Sequence, residues 1–202
     1  MKKTVVVKGT QVSYQTDGSG PGLVLVHGTG GNAQSHWGHL VDKFSEHWTV
    51  IRPDFSGSGE TVDSGEELSI ELLAEQVVAA AKAAGKVPFD LIGFSLGATV
   101  AAYIAAEYPD EVRSVVLLAG FASCLGSRMQ LQCELWRDLA ITDHNAMVRM
   151  LLLTGFSAQT LNELDIKQIK NNVEAMVHSV DWEGLVRQLD MILHLDISRT
   201  HL

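Results

Sequence analysis

A chain of 202 residues, 46% hydrophobic and 19% charged, holds enough apolar material for one folded domain with room for an inserted subdomain. Its formal charge is −9 and its fifteen Lys and Arg are scattered, which excludes the clustered basic surface that tracks nucleic-acid phosphates. Cys124 and Cys133 are too few for a disulfide framework and read as buried, inert thiols; with no apolar run long enough for a membrane span or a signal segment, a cytoplasmic protein is expected.

In chain order, residues 4–7 and 11–14 read as two strands joined by a Lys8-Gly9 turn. A Gly- and Ser-rich loop follows at 17–22. Residues 23–26, Leu-Val-Leu-Val, form the continuous apolar run of a strand buried on both faces. Trp37, Leu40, Val41 and Phe44 recur at helical spacing, which predicts a helix over 33–46. A short strand at 49–51 ends at Pro53. The next helix runs over 69–84, with Ser69 as its cap and Gly85 as its stop. A strand at 89–92, an alanine-rich helix from 96 to 108 halted by Pro109, and a strand at 112–118 complete this part. Such alternation predicts an α/β fold with a mostly parallel sheet and helices on both faces. After Gly120 the pattern changes. Residues 126–195 contain no convincing strand, and helices are expected over about 128–140, 143–154, 159–179 and 182–194. Their Met, Leu and Trp residues read as core, or as the inner face of a lid over a pocket.

The chemistry-bearing signal is Gly93-Phe94-Ser95-Leu96-Gly97, between a predicted buried strand and a predicted helix. A serine there sits on a sharp turn that thrusts its hydroxyl above the sheet, a nucleophile elbow. Gly93 and Gly97 let strand and helix approach where a Cβ would clash, and the amide of Leu96 opens the helix toward a developing oxyanion. A second signal, His27-Gly28-Thr29-Gly30-Gly31, follows the strand at 23–26. Gly28 frees the backbone, and Thr29 is the candidate second oxyanion donor; the competing phosphate-loop reading lacks the Lys-Ser or Lys-Thr pair it needs. His27 reads as a structural group that fixes the loop. Asp54, in Arg52-Pro53-Asp54-Phe55-Ser56-Gly57-Ser58-Gly59, reads as a turn stabiliser binding backbone N–H groups rather than as a catalytic acid.

Together these residues resemble the α/β-hydrolase superfamily, nearest to small capped esterases, carbon–carbon bond hydrolases and haloperoxidase-like members. The resemblance covers residues 1–120. It implies a hydrolase core over 1–120 with the first six strands of the sheet, a helical cap over 121–196, and the start of a link to further core strands over 197–202. It also implies Ser95 as nucleophile with Thr29 and Leu96 as the oxyanion hole. Members of the superfamily carry an acid and a histidine on two strands beyond the cap. Neither is found here, and Gly120-Phe121-Ala122-Ser123, where some relatives place the acid, has no carboxylate. The C-terminal strands are therefore expected to be missing, whether because this is part of a longer polypeptide, because the gene product is naturally short, or because another chain completes the sheet. His36, His39 and His47 are expected to face solvent, and His144, His178 and His194 to belong to the cap; His194 and His201 are weak candidates for a base.

The expected activity is hydrolysis of an ester, thioester or related acyl bond of a small hydrophobic substrate through an acyl-enzyme on Ser95, incomplete in this chain. The alternatives are a non-catalytic small-ligand-binding homologue and an acyltransferase or thioesterase of a biosynthetic pathway. No metal-ligand spacing or cofactor motif occurs, so neither is expected. The expected partners are a small-molecule substrate and either a second copy or a complementing C-terminal segment, with no nucleic acid and no membrane.

Overall fold

Lys8 and Gly9 both adopt positive φ, 47° and 90°, the conformation of a two-residue turn whose twist matches that of the strands it joins. In a computed structural model, which describes residues 1–198, this turn sets Val7 opposite Thr10 and pairs β1 (Lys2–Val7) antiparallel with β2 (Thr10–Asp17). The sheet continues through β3 (Gly22–Val26), β4 (Thr49–Pro53), β5 (Phe89–Phe94) and β6 (Val112–Leu118) in the spatial order β1-β2-β4-β3-β5-β6. β2 meets β4 antiparallel, and the remaining pairs are parallel. The mostly parallel α/β sheet read from the sequence is thus the one formed.

Strand alternation divides the core in two. Val24 and Val26 of β3 face the larger cluster, built with α3 (Ile70–Ala83) and α4 (Leu96–Glu107). Leu23 and Leu25 point the other way, onto Trp37, Leu40 and Phe44. That second layer departs from the expected single helix over 33–46. It is α1 (Ala33–Trp37), a 3-10 turn (Gly38–Leu40) and α2 (Val41–Ser45). Gly38 lies at the join, where an interior glycine weakens helical continuity. Ser69 caps α3 as expected, its side chain accepting from the Leu72 amide at 3.2 Å.

Beyond β6 the chain is helical: α5 (Ser127–Thr142), α6 (His144–Gly155), α7 (Ala158–Glu163), α8 (Ile166–Ser179) and α9 (Trp182–Leu193). The helix expected over 159–179 is broken, because Asp165 caps a new start by accepting from the Lys167 amide. The two ends of the segment are pinned together: the Cys124 amide donates to Leu195 O at 2.9 Å and the Ile197 amide to Ala122 O at 2.8 Å. Cys124 and Cys133 are buried as expected, with their sulfurs 3.6 Å apart and the Cys133 thiol pushed up to about 12 by burial and its neighbour. The expectation that the Met, Leu and Trp residues here are core holds for Met147 but fails for Leu131 and Leu135, which are exposed. Helical spacing reports which residues share a face, not whether anything covers it. Among the described residues no helix is long and apolar enough to cross a membrane.

Candidate active site

Ser95 stands between β5 and α4 with φ 54° and ψ −121°. A non-glycine residue there is strained by about 1–3 kcal/mol and persists only where its surroundings hold it. They do so from both sides. The Ser95 amide donates to Leu118 O at the end of β6, 2.9 Å away. The Ser95 carbonyl accepts from the Ala98 and Thr99 amides at 2.9 and 3.2 Å. The glycines are required by contact: a Cβ on Gly93 would lie 2.2 Å from Gly97 O, and one on Gly97 would lie 2.3 Å from His27 O. Helix, strand and the loop after β3 therefore meet backbone to backbone. Ser95 is partly exposed, and Leu96 behind it is buried. As the first residue of α4, Leu96 has an amide with no intrahelical acceptor.

Gly28 brings the second loop to the serine, since a Cβ at position 28 would sit 2.9 Å from the Ser95 Cβ. Thr29, beside it, is partly exposed. His27 is fully buried and stacked on Phe55 with ring centroids 3.9 Å apart. Its Nδ1 lies 2.9 Å from Gly28 O; a carbonyl only accepts, so Nδ1 carries the proton. Burial holds this imidazole down at about 4 against the bond to Gly28.

His36 corrects the sequence reading. Of the three histidines expected to face solvent, His39 and His47 do, but His36 is half-buried beneath the loop. Its Nδ1 accepts the Gly28 amide at 3.0 Å, and its ring meets Phe94 edge-on at 5.4 Å. Burial, and then His27, lower it to about 4. With Nδ1 used as an acceptor, the neutral ring carries its proton on Nε2. Nothing in the spacing of a short peripheral helix distinguishes His36 from His39; the Gly28 amide, the Phe94 ring and the close approach of Gly31 locate it.

Asp54 is buried, and its carboxylate accepts from the Ala33 amide at 2.7 Å and the Glu60 amide at 3.3 Å, the turn-stabilising arrangement read from the sequence. Burial raises its pKa, and those two amides oppose the rise. Between the loops at 30–32 and 57–60 and the residues Ser179 and Asp181 lies a cleft of about 180 Å³. His144 stacks on Trp182 at 3.8 Å, and His178 and His194 are exposed; His201 lies outside the described residues. No group of three or more His, Cys, Asp or Glu among the described residues is placed to hold a metal ion.

Comparison with known proteins agrees with this fold. A family model described as the alpha/beta hydrolase fold matches residues 21–156. A pyrrolizixenacetamide deacetylase of Xenorhabdus hominickii is 50% identical over 194 residues, spanning 96% of this chain and 73% of the relative. A pimeloyl-[acyl-carrier protein] methyl ester esterase of Aliivibrio salmonicida is 29% identical over 174 residues, or 81% of this chain and 62% of that protein. Among solved structures, the enol-lactonase of Burkholderia xenovorans LB400 superposes with a TM-score of 0.82 at 21% identity, over 98% of this chain and 76% of its own.

Proposed function

This chain belongs to the α/β-hydrolase family, and from that premise we propose that it carries the nucleophilic machinery of a serine hydrolase acting on an acyl bond, ester or amide, of a small substrate. The observation that carries the reading is Ser95 held at φ 54° on a glycine-framed turn beside the Gly28 loop. The relatives named as a deacetylase and a methyl ester esterase support an acyl substrate. In this mechanism Ser95 Oγ loses its proton to a base and attacks the acyl carbonyl, and the amides of Thr29 and Leu96 receive the negative charge on the carbonyl oxygen. The bond to the alcohol or amine then breaks, the leaving group takes up the proton, and water releases the acid. The helical segment 121–196 acts as the cap over this site.

We place the general base and its acid outside residues 1–198. His36 has Nδ1 engaged by Gly28 and its proton on Nε2, so it offers no lone pair. His27 keeps a free Nε2, but it is wholly buried against Phe55 and lowered to about 4, a poor match for proton abstraction near neutrality. A chain without a base loses on the order of 10⁴-fold or more in turnover, while an oxyanion hole preserves some reactivity. The test is labelling with a fluorophosphonate, read by peptide mass spectrometry. A slow adduct on Ser95 that is accelerated by added imidazole and abolished by Ser95→Ala is expected. Rapid stoichiometric labelling without imidazole would place a base within the chain, and no adduct on Ser95 under either condition would remove the serine assignment.

A further inference from the structure

The apolar stripe of α9 has one polar member. Leu185, Leu189 and Ile192 pack into the main core, and between them, at the spacing of the same face, Gln188 is fully buried. A buried amide costs several kcal/mol unless its donors and acceptor are satisfied, and all of this one's partners belong to the core loops. Its Oε1 accepts the Gly30 amide at 2.9 Å. Its Nε2 donates to Gly57 O at 3.0 Å and to Ser58 Oγ at 2.7 Å. One side chain of the helical segment thus joins the loop after β3 to the loop after β4.

Two neighbours on α9 bring the helix close enough for this. A Cβ on Gly184 would lie 2.2 Å from Gly57 O, so helix and loop touch through bare backbone. Arg187 reaches Asp63 at 2.9 Å and donates to Glu66 O. Burial alone would raise the Asp63 carboxyl, but the Arg187 bond and the Gly65 amide outweigh it and hold it low.

We propose that Gln188 is a positioning residue, which fixes the Thr29–Gly30 backbone at the angle needed for the Thr29 amide to face the carbonyl oxygen attacked by Ser95, and so ties oxyanion stabilisation to seating of the helical segment. This rests on the serine reading above. Gly30 is the residue after Thr29, and its amide and the Thr29 carbonyl share one rigid peptide plane. Clamping the Gly30 amide therefore fixes one end of Thr29. The Gly28 amide is clamped on the other side by His36 Nδ1 at 3.0 Å. The Thr29 amide lies between these two fixed peptides, and the carbonyl of its own peptide, Gly28 O, accepts from His27 Nδ1 at 2.9 Å and from the Gly31 amide at 3.2 Å.

The proposal is tested in the whole chain with Gln188→Leu and Gln188→Glu, using amide hydrogen exchange and the fluorophosphonate label. Gln188→Leu keeps the volume and removes all three hydrogen bonds. Exchange is expected to rise about tenfold or more in peptides covering 28–31 and 56–59, and the maximal labelling rate of Ser95 to fall by a similar factor at unchanged half-saturating reagent, since one buried hydrogen bond to a backbone amide is worth roughly 1–3 kcal/mol. Gln188→Glu retains an acceptor for Gly30. When its carboxyl is protonated it also offers a donor to Gly57 or Ser58. Burial raises that carboxyl, so labelling is expected to recover toward that of the unsubstituted chain at mildly acidic pH and to fall as pH rises, a titration that a merely packed side chain would not create. Unchanged exchange in folded Gln188→Leu, or raised exchange with an unchanged labelling rate, overturns the role of Gln188. Absence of any Ser95 adduct in the unsubstituted chain overturns the serine reading instead, and this role with it. Should Gln188→Leu fail to fold by circular dichroism, the pH-dependent recovery of Gln188→Glu decides alone.

Discussion

Two imidazoles pressed against the Gly28 loop make the stability of this protein depend on pH. His27 and His36 are both lowered to about 4, while in the unfolded chain a histidine titrates at about 6.5. Between those values the unfolded state binds more protons than the folded one, so stability rises with pH across that window. Their contribution is complete above the unfolded value and is lost as pH falls toward 4. Each unit of difference amounts to about 1.4 kcal/mol per group. The urea midpoint is therefore expected to fall between about pH 7 and about pH 4.5. His36→Asn, whose Oδ1 can still accept the Gly28 amide, should flatten that fall, as followed by tryptophan fluorescence. An equally steep profile in His36→Asn would show that this ring is not titrating through folding.

At the scale of elements, two buried glutamines from different helices hold one loop. Gln76 of α3 lies in a stripe with Leu73 and Val77, and it accepts the Ser56 amide at 2.9 Å while donating to Ser56 Oγ at 2.8 Å. Gln188 of α9 holds the next two residues by donating to Gly57 O and Ser58 Oγ, while its own acceptor is used by the Gly30 amide. A polar residue inside an otherwise apolar stripe is visible in sequence, and it signals a buried group that needs partners. The partners themselves lie more than a hundred positions away for Gln188 and could not be named. The backbone contact of Gly184 against Gly57 yields a prediction in which packing opposes propensity. Replacing an interior helical glycine by alanine gains up to about 1 kcal/mol, but at 184 the new Cβ meets backbone 2.2 Å away. Gly184→Ala should lose about 1–3 kcal/mol in urea unfolding. Gly155→Ala at the end of α6, where a Cβ meets nothing within 4 Å, should lose nothing. Equal effects at the two positions would mean that α9 is not seated on the loop as described.

Seen whole, the molecule is asymmetric about its sheet. Near β3 both faces are covered, but among the described residues no strand pairs with the far side of β6, and Val115, Val116, Leu117 and Leu118 are 38–47% exposed. A row of unpaired backbone groups flanked by apolar side chains invites pairing with another chain. Residues 1–202 expressed alone are expected to self-associate over a concentration series, and Val116→Lys should shift sedimentation toward the monomer while leaving the circular dichroism unchanged. Monomeric unsubstituted material throughout that series would contradict the expectation.

What could be read from the sequence was whatever depends on near neighbours in the chain. The strands, the Ser69 cap, the Lys8-Gly9 turn and the Gly93–Gly97 frame around Ser95 are fixed by periodicity, capping chemistry and steric exclusion within a few residues. Tertiary structure alone decided that His36 turns inward beneath Gly28 while His39 stays in water, and that Leu131 and Leu135 of α5 remain exposed. It also chose the partners of Gln188. The reason is common to all three: local spacing determines which side chains share a face or a turn, whereas burial and hydrogen-bond partnership depend on which distant segment arrives to cover them.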